Sequence, residues 1–225
     1  MRCILACLCA ASLTAAAAHA QDLPPPPPAP PGPGAPVQVE QTVQRFIANP
    51  NGDVDTLILG DGTQVPVPPP VGNALANERH ATLSIHGSRL ADAPVIVPDS
   101  IREGSRDWLA NAPAPVPPAA PPALAPMKAS GRVAEVLFGP RGEANGVLLT
   151  DGTVVRVPPH AALAQPNLLV KGASFSASGF GVANGGQRAL QAVSIGTTPS
   201  SEQAITPPPP PPPVTAGQAP MTPPR

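Results

Sequence analysis

The 225-residue chain carries 38 prolines and only 2% aromatic residues, with no Tyr, one Trp and four Phe. Proline fixes φ and removes a backbone donor, so the proline-dense stretches cannot be packed, and any core has to be small, aliphatic and built from the proline-poor segments. With 13 basic residues against 14 acidic ones the formal net charge is −1, a balance that recruits neither nucleic acid nor an anionic membrane surface.

Residues 1–20 have the layout of a secretory signal peptide. Arg2 gives a positive start, Cys3 to Ala18 is a weakly apolar run, and Ala18-His19-Ala20 places small residues where signal peptidase cuts, ahead of Gln21. The run is short and mostly alanine, whereas a membrane span needs about twenty strongly apolar residues. Cleavage and a periplasmic or secreted location are therefore expected, with no stable membrane insertion afterwards. Leu5-Ala6-Cys7 looks locally like a lipobox, but Cys7 lies too near Met1 to leave an embedding segment ahead of it. Cys3, Cys7 and Cys9 all fall in the leader, so the remainder has no thiol, no disulfide and no cysteine metal ligand. Removing Arg2 with the leader leaves 12 basic against 14 acidic residues, a net of −2.

Three proline-rich stretches follow: a linker over 21–38, an Ala/Pro-rich linker over 109–128, and a tail over 200–225 with seven consecutive prolines from Pro207 to Pro213. They read as disordered, extended spacers of about 3.1 Å per residue. Between them lie two segments, 39–108 and 129–199, that repeat one another. At an offset of 90, Val43 to Pro69 falls on Val133 to Pro159 with 11 identities in 27 ungapped positions. Such internal similarity marks a reused structural unit.

Each segment yields the same string of elements. A first strand over 42–48 (or 132–138) leads to a turn at Pro50-Asn51-Gly52 (or Pro140-Arg141-Gly142), and a second strand runs over 54–59 (or 144–149). The odd spacing of Val133 and Val136 calls for a β-bulge if both face inward. Asp61-Gly62 and Asp151-Gly152 then mark a tight hairpin turn, since both residue types tolerate positive φ. In the third strand Val65 and Val67, or Val155 and Val157, face inward, while Gln64 and Pro66, or Val154 and Arg156, face outward. Pro68-Pro69 and Pro158-Pro159 stop it. About one helical turn follows, over 72–76 and 161–164. A fourth strand alternates through Ala81, Leu83 and Ile85, or Ala173, Phe175 and Ala177, and a final strand ends at Ile101 or Ile195.

Three strands in a meander, a short helical connection and two more strands is the order of a five-stranded oligonucleotide/oligosaccharide-binding (OB) barrel. The expected fold class is all-β: two tandem five-stranded OB-like small barrels flanked by disordered proline-rich segments. An SH3-like barrel or an irregular sandwich is the competing assignment. A unit of 60 to 70 residues buries only about 60% of its unfolded surface, so each would be marginal alone. The first segment, 40–108, carries 5 basic and 9 acidic residues, and the second, 132–195, carries 5 and 3. Opposite net charges permit the two to dock.

The pattern Gly131-Arg132-Val133, then Pro140-Arg141-Gly142-Glu143, then Leu149-Thr150-Asp151-Gly152-Thr153-Val154-Val155-Arg156-Val157-Pro158-Pro159 resembles a group of exported bacterial proteins of unassigned activity read as OB-fold-like. The resemblance covers both segments; the first departs with Gln41 in place of Gly131 and Pro66 in place of Arg156. It implies the fold and brings no activity with it.

Catalytic chemistry is not expected. His80, His86 and His160 do not recur at matching positions of the repeat, and no nucleophile, zinc or phosphate-loop motif is present. The stretch Asn49 to Asp55 faintly resembles a calcium loop, but Thr56 to Leu59 supplies none of the further carboxylates such a loop needs. No cofactor and no metal site is expected. Nucleic acid binding on such a barrel needs stacking aromatics in a basic groove, which these strand faces lack. Arg141, Arg156 and Phe180, with the Gly179-Phe180-Gly181 to Gly185-Gly186 loop, could form a small positive ligand patch in the second segment; the plain alternative is solvated arginines and a mobile hairpin. Asp61, Gly62, Asp151 and Gly152 are structural turn residues. The expected function is a non-catalytic binding or interaction protein whose partner is a protein, peptide or polysaccharide of the cell envelope. A purely structural envelope spacer is the alternative, and a metal-dependent or hydrolytic enzyme a remote third.

Overall fold

A computed structural model of the chain describes residues 34–78, 82–113, 123–184 and 186–206. The leader, His80, Gly185 and most of the proline tracts lie outside the described residues. All described residues belong to one compact unit, Pro31–Arg225.

The fold is all-β, in two six-stranded sheets. The first holds β1 (Ala35–Ala48), β2 (Val54–Leu59), β3 (Gln64–Pro66), β4 (Thr82–Arg89), β5 (Ile96–Glu103) and β6 (Arg106–Asp107), in the order β3-β2-β1-β4-β5-β6. The second holds β7 (Ala125–Phe138), β8 (Ala144–Leu149), β9 (Val154–Arg156), β10 (Ser174–Asn184), β11 (Gln187–Gly196) and β12 (Gln203–Ala204), in the order β10-β7-β8-β9-β11-β12. An additional β10–β11 pairing closes five strands of the second sheet into a barrel. Helix α1 (Pro69–Glu78) follows β3, and α2 (Pro159–Ala164) follows β9. No helix among the described residues is long and apolar enough to cross a membrane.

One long strand serves two neighbours in each sheet. The first half of β7 pairs with β10 from Ala125 to Arg132, and its second half pairs with β8 from Val133 to Phe138. The register shifts between Val133 and Glu135, which is the irregularity the valine spacing called for, and the bend it introduces turns the strand from one partner to the other. β1 does the same: it pairs with β4 up to Thr42 and with β2 from Val43, with a shift between Val43 and Arg45. Both long strands begin earlier than the sequence suggested, at Ala35 and Ala125 rather than near 42 and 132.

The aspartyl-glycine turns are built alike in the two sheets. Gly62 and Gly152 have φ of 84° and 85°. Their amides donate to the carbonyls of Leu59 and Leu149, both at 2.9 Å. Asp61 Oδ1 accepts from the Thr63 amide and Asp151 Oδ1 from the Thr153 amide, again at 2.9 Å. The expected two-residue turn is thus a β-turn over Leu59–Gly62 (or Leu149–Gly152), with the left-handed position falling on the glycine and the aspartate bracing the turn from outside. The helical connection after β3 is longer than one turn, ten residues in α1, whereas α2 is six residues followed by a 3₁₀ turn at Pro166–Leu168.

Each sheet wraps its own aliphatic core. In the first, Leu57, Leu59, Val65, Leu83, Ile85 and Ile101 surround Trp108, and all seven are fully buried. In the second, Val133, Val147, Leu149, Val155, Phe175 and Leu190 form the buried cluster. A third cluster joins Ile47, Ala48 and Ile58 of the first sheet to Leu137, Leu148, Val154 and Ala189 of the second. The two sheets therefore dock, and the apolar surface each buries against the other adds to what so small a core can supply alone.

Candidate functional site

The junction between the sheets is where polar chemistry concentrates. Arg156 lies on β9 between Val155 and Val157, whose side chains enter the barrel core. Alternation turns Arg156 outward, and there the first sheet covers it, leaving 7% of the residue exposed. Its Nη1 donates to Asn145 Oδ1 at 3.0 Å, and its Nη2 donates to Asp55 Oδ1 and to Thr56 Oγ1 at 3.4 Å. Thr56 Oγ1 also donates to Asp55 Oδ1 at 3.0 Å. Asp55 and Asn145 are 90 residues apart, so one guanidinium bridges the same position of both segments. Arg156 Nε is buried with no partner.

Burial dominates the electrostatics of this pair. It pushes the Asp55 carboxyl above its ordinary range, a rise that the Arg156 charge and hydrogen bonds offset only in part. Burial likewise pulls the Arg156 guanidinium below its usual value, against the raising effect of Asp55. A second contact seals the junction. Gln64 is 2% exposed; its Nε2 donates to the Val136 carbonyl at 2.6 Å, and its Oε1 accepts from the Phe138 amide at 2.9 Å. The amide side chain thus supplies the donor and acceptor that a neighbouring strand would have offered to β7.

Above the Arg156–Asp55 pair opens a cleft of about 510 Å³, with Pro50 and Asp55 on one side and Glu143, Asn145, Arg156 and Gln191 on the other. Glu143 accepts from the Arg141 amide at 3.0 Å and from Arg141 Nη2 at 3.3 Å. An apolar cleft of about 380 Å³ adjoins it, sharing Glu143 and Pro159, and is walled by Val136, Phe138, Leu163 and Leu169. Leu163 is 81% exposed. The two clefts form a groove with a hydrogen-bonding half and an apolar half.

The three residues expected to form a positive patch are arranged differently. Phe180 pairs with Gln191 and Gln191 with Arg156 across β10, β11 and β9, and Gln191 Nε2 donates to the Arg156 carbonyl at 3.3 Å. Phe180 and Arg156 therefore share a row of the barrel exterior. Arg156 adds no free charge to that row, because it is covered and paired with Asp55, while Arg141 is paired with Glu143 on the same wall of the cleft. Asp55 entered the sequence reading only as the end of the calcium-loop-like stretch and Gln64 only as an outward-facing position, and neither they nor Asn145 and Gln191 were expected to form a site. The signal available was the coincidence of Asp55 and Asn145 in the repeat, together with the replacement of Pro66 by Arg156.

Elsewhere polar groups serve the fold. In the Asn49–Asp55 stretch, Asn49 Oδ1 accepts from the Asn51 and Asp53 amides at 2.9 and 3.1 Å, and Asp53 accepts from Asn73, so its oxygens are committed to a turn. Glu202 accepts from the hydroxyls of Ser176, Ser178 and Ser194, each at 2.7 Å, and fastens the segment after β11 to the barrel exterior. Burial would raise that carboxyl, but the three hydroxyls and Lys128 hold it below the ordinary range. Among the described residues no three His, Cys, Asp or Glu side chains are grouped so as to hold a metal ion. No protein-family model, curated protein or solved structure matches the chain.

Proposed function

We propose that the chain is an exported, non-catalytic binding protein made from a duplicated OB-like unit, and that it holds its ligand in the groove at the junction of the two sheets. The observation that carries this reading is the groove itself. Polar side chains with spare hydrogen-bonding capacity, from Asn145 and Gln191, adjoin an apolar trough that leaves Leu163 uncovered. Specific ligand sites combine apolar walls with a few placed polar groups in this way.

The groove suits a protein or peptide segment better than a polysaccharide. Its polar half has no aromatic ring among its lining residues on which a sugar could stack, and its apolar half fits aliphatic side chains. Asp55 is paired with Arg156 and Glu143 with Arg141, so that polar half carries no net charge and favours neutral segments. Binding of a synthetic peptide library and of soluble peptidoglycan fragments, compared between the wild-type chain, Leu163→Glu and Asn145→Ala, tests the reading. Peptides bound by the wild type and lost in both variants are expected. Equal binding by all three proteins would remove the groove from the account. N-terminal sequencing of the protein from an extracellular or periplasmic fraction should begin at Gln21; material retaining Met1 would contradict export with cleavage.

A further inference from the structure

We infer that the apolar half of the groove accepts a proline-rich segment, and that its occupant is this chain's own Pro207–Pro213. The inference rests on the reading of the groove as a binding site and names what fills it.

The point of departure carries the argument. The Thr206 carbonyl lies 3.1 Å from His160 Nε2. His160 stands on α2 beside Pro159, which walls both clefts, and Ala162 and Leu163 of the same helix wall the apolar one. The chain is held at this point by three earlier contacts: β12 pairs with β11, the Ile205 amide donates to the Val193 carbonyl at 2.8 Å, and Glu202 takes its three serine hydroxyls. The described chain thus reaches Thr206 beside His160 of α2, which is next in sequence to the groove-lining Pro159, and a seven-proline run spans about 22 Å at 3.1 Å per residue.

The chemistry of the two sides matches. A proline run offers carbonyl acceptors and pyrrolidine faces but no backbone N–H. Asn145 has given its Oδ1 to Arg156, so the group it turns to a ligand is its amide NH₂, a donor. The apolar wall of Phe138, Leu163 and Leu169 presents carbon surface to the rings. Tethering next to the groove also makes the encounter intramolecular, so an intrinsically weak contact is populated at an effective concentration in the millimolar range.

The test uses the full chain in three forms: wild type, a variant with residues 207–213 replaced by alternating Gly and Ser, and that variant with Leu163→Glu added. Backbone amide signals of Asn145, Ala162 and Leu163 are followed by NMR while the synthetic peptide TPPPPPPPVTAG is titrated in. The expected result is that these signals differ between wild type and the Gly/Ser tail, that the peptide returns the Gly/Ser variant to wild-type positions, and that wild type binds the peptide at least tenfold more weakly. Leu163→Glu should abolish the peptide response. Identical groove signals with both tails, and no response to the peptide, would overturn the inference. So would a tail-dependent shift that grows with protein concentration, which would assign the groove to the tail of a second copy. Should the tail have no effect while a library peptide still binds and is lost on Leu163→Glu, the occupant is wrong and the binding site stands; if Leu163→Glu changes nothing, both fall.

Discussion

The two sheets share a plan and differ in how they finish it. Strands β1 and β7, β2 and β8, and β3 and β9 all begin 90 residues apart, as do the two helices, and Val43 faces Leu59 as Val133 faces Leu149. Closure separates them. β10 joins β11 as β4 joins β5, but in the second sheet β9 also runs parallel to β11 over three pairs. In the first sheet the corresponding seam is a single parallel bridge between Gln64 and Val95, with the Gln64 amide donating to the Pro94 carbonyl at 2.7 Å. Pro66 stands where the second sheet has Arg156, and a proline has no N–H to offer a further strand. The same position that prevents full closure in one sheet supplies, in the other, the arginine that reaches across to Asp55. A few outward-facing positions that differ between the two sheets thus make their facing surfaces complementary.

The largest effects should come from breaking that complementarity. Ile58→Ala and Leu148→Ala, which truncate facing members of the junction cluster, should each cost about 2–5 kcal/mol. If the sheets are held together as described, both variants lose stability in the single transition of the whole chain, whereas loss confined to one of two separate transitions would show that the sheets unfold apart. Arg156→Met leaves the half-buried Asp55 carboxylate without its partner and should destabilise the fold by about 1–3 kcal/mol, read from urea unfolding; no measurable loss would mean that the pair is dispensable.

Acid titration sharpens the contrast between the junction and the barrel exterior. Glu202 has its folded pKa depressed below the ordinary 4.5, so its contribution is present at neutral pH and lost as pH falls through that value toward the folded one. Asp55 has its folded pKa raised, so protonation favours the folded state, and its effect runs the other way: stability declines as pH rises from the ordinary carboxylate value through the folded one. Glu202→Gln should therefore flatten the acid limb of melting temperature against pH, and Asp55→Asn should steepen it. The same slope in both variants would contradict the assignment. The smallest effect belongs to the turns. Gly62→Ala and Gly152→Ala meet no atom within 4 Å and face only the backbone cost of positive φ, about 1–2 kcal/mol, and the two losses should agree.

Strand order and turn positions were legible because they depend on local chemistry. Asp-Gly pairs, double prolines and alternating valines each act over a few residues, and the repeat doubled every such signal. The β1 and β7 starts were missed because Ala35-Pro36 and Ala125-Pro126 look like linker; only pairing with β4 and β10 draws them into the sheet. The junction was illegible for a different reason. Gln64, Val154 and Arg156 point away from their own cores, and a sequence treated as separate beads assigns such positions to solvent. They are buried because each sheet covers the other, a fact about the distant half of the chain that no local pattern contains. The environment of Arg156 is illegible for the same reason: its partner Asp55 lies 101 residues away in the sequence.

A double-mutant cycle on Asp55→Ala and Arg156→Met measures the junction most directly. The docked arrangement predicts that the double variant is more stable than the sum of the single losses implies, with a coupling of at least about 1 kcal/mol between residues in contact. Additivity within about 0.3 kcal/mol would mean that these two side chains do not meet in solution, and the docked junction described above would be contradicted.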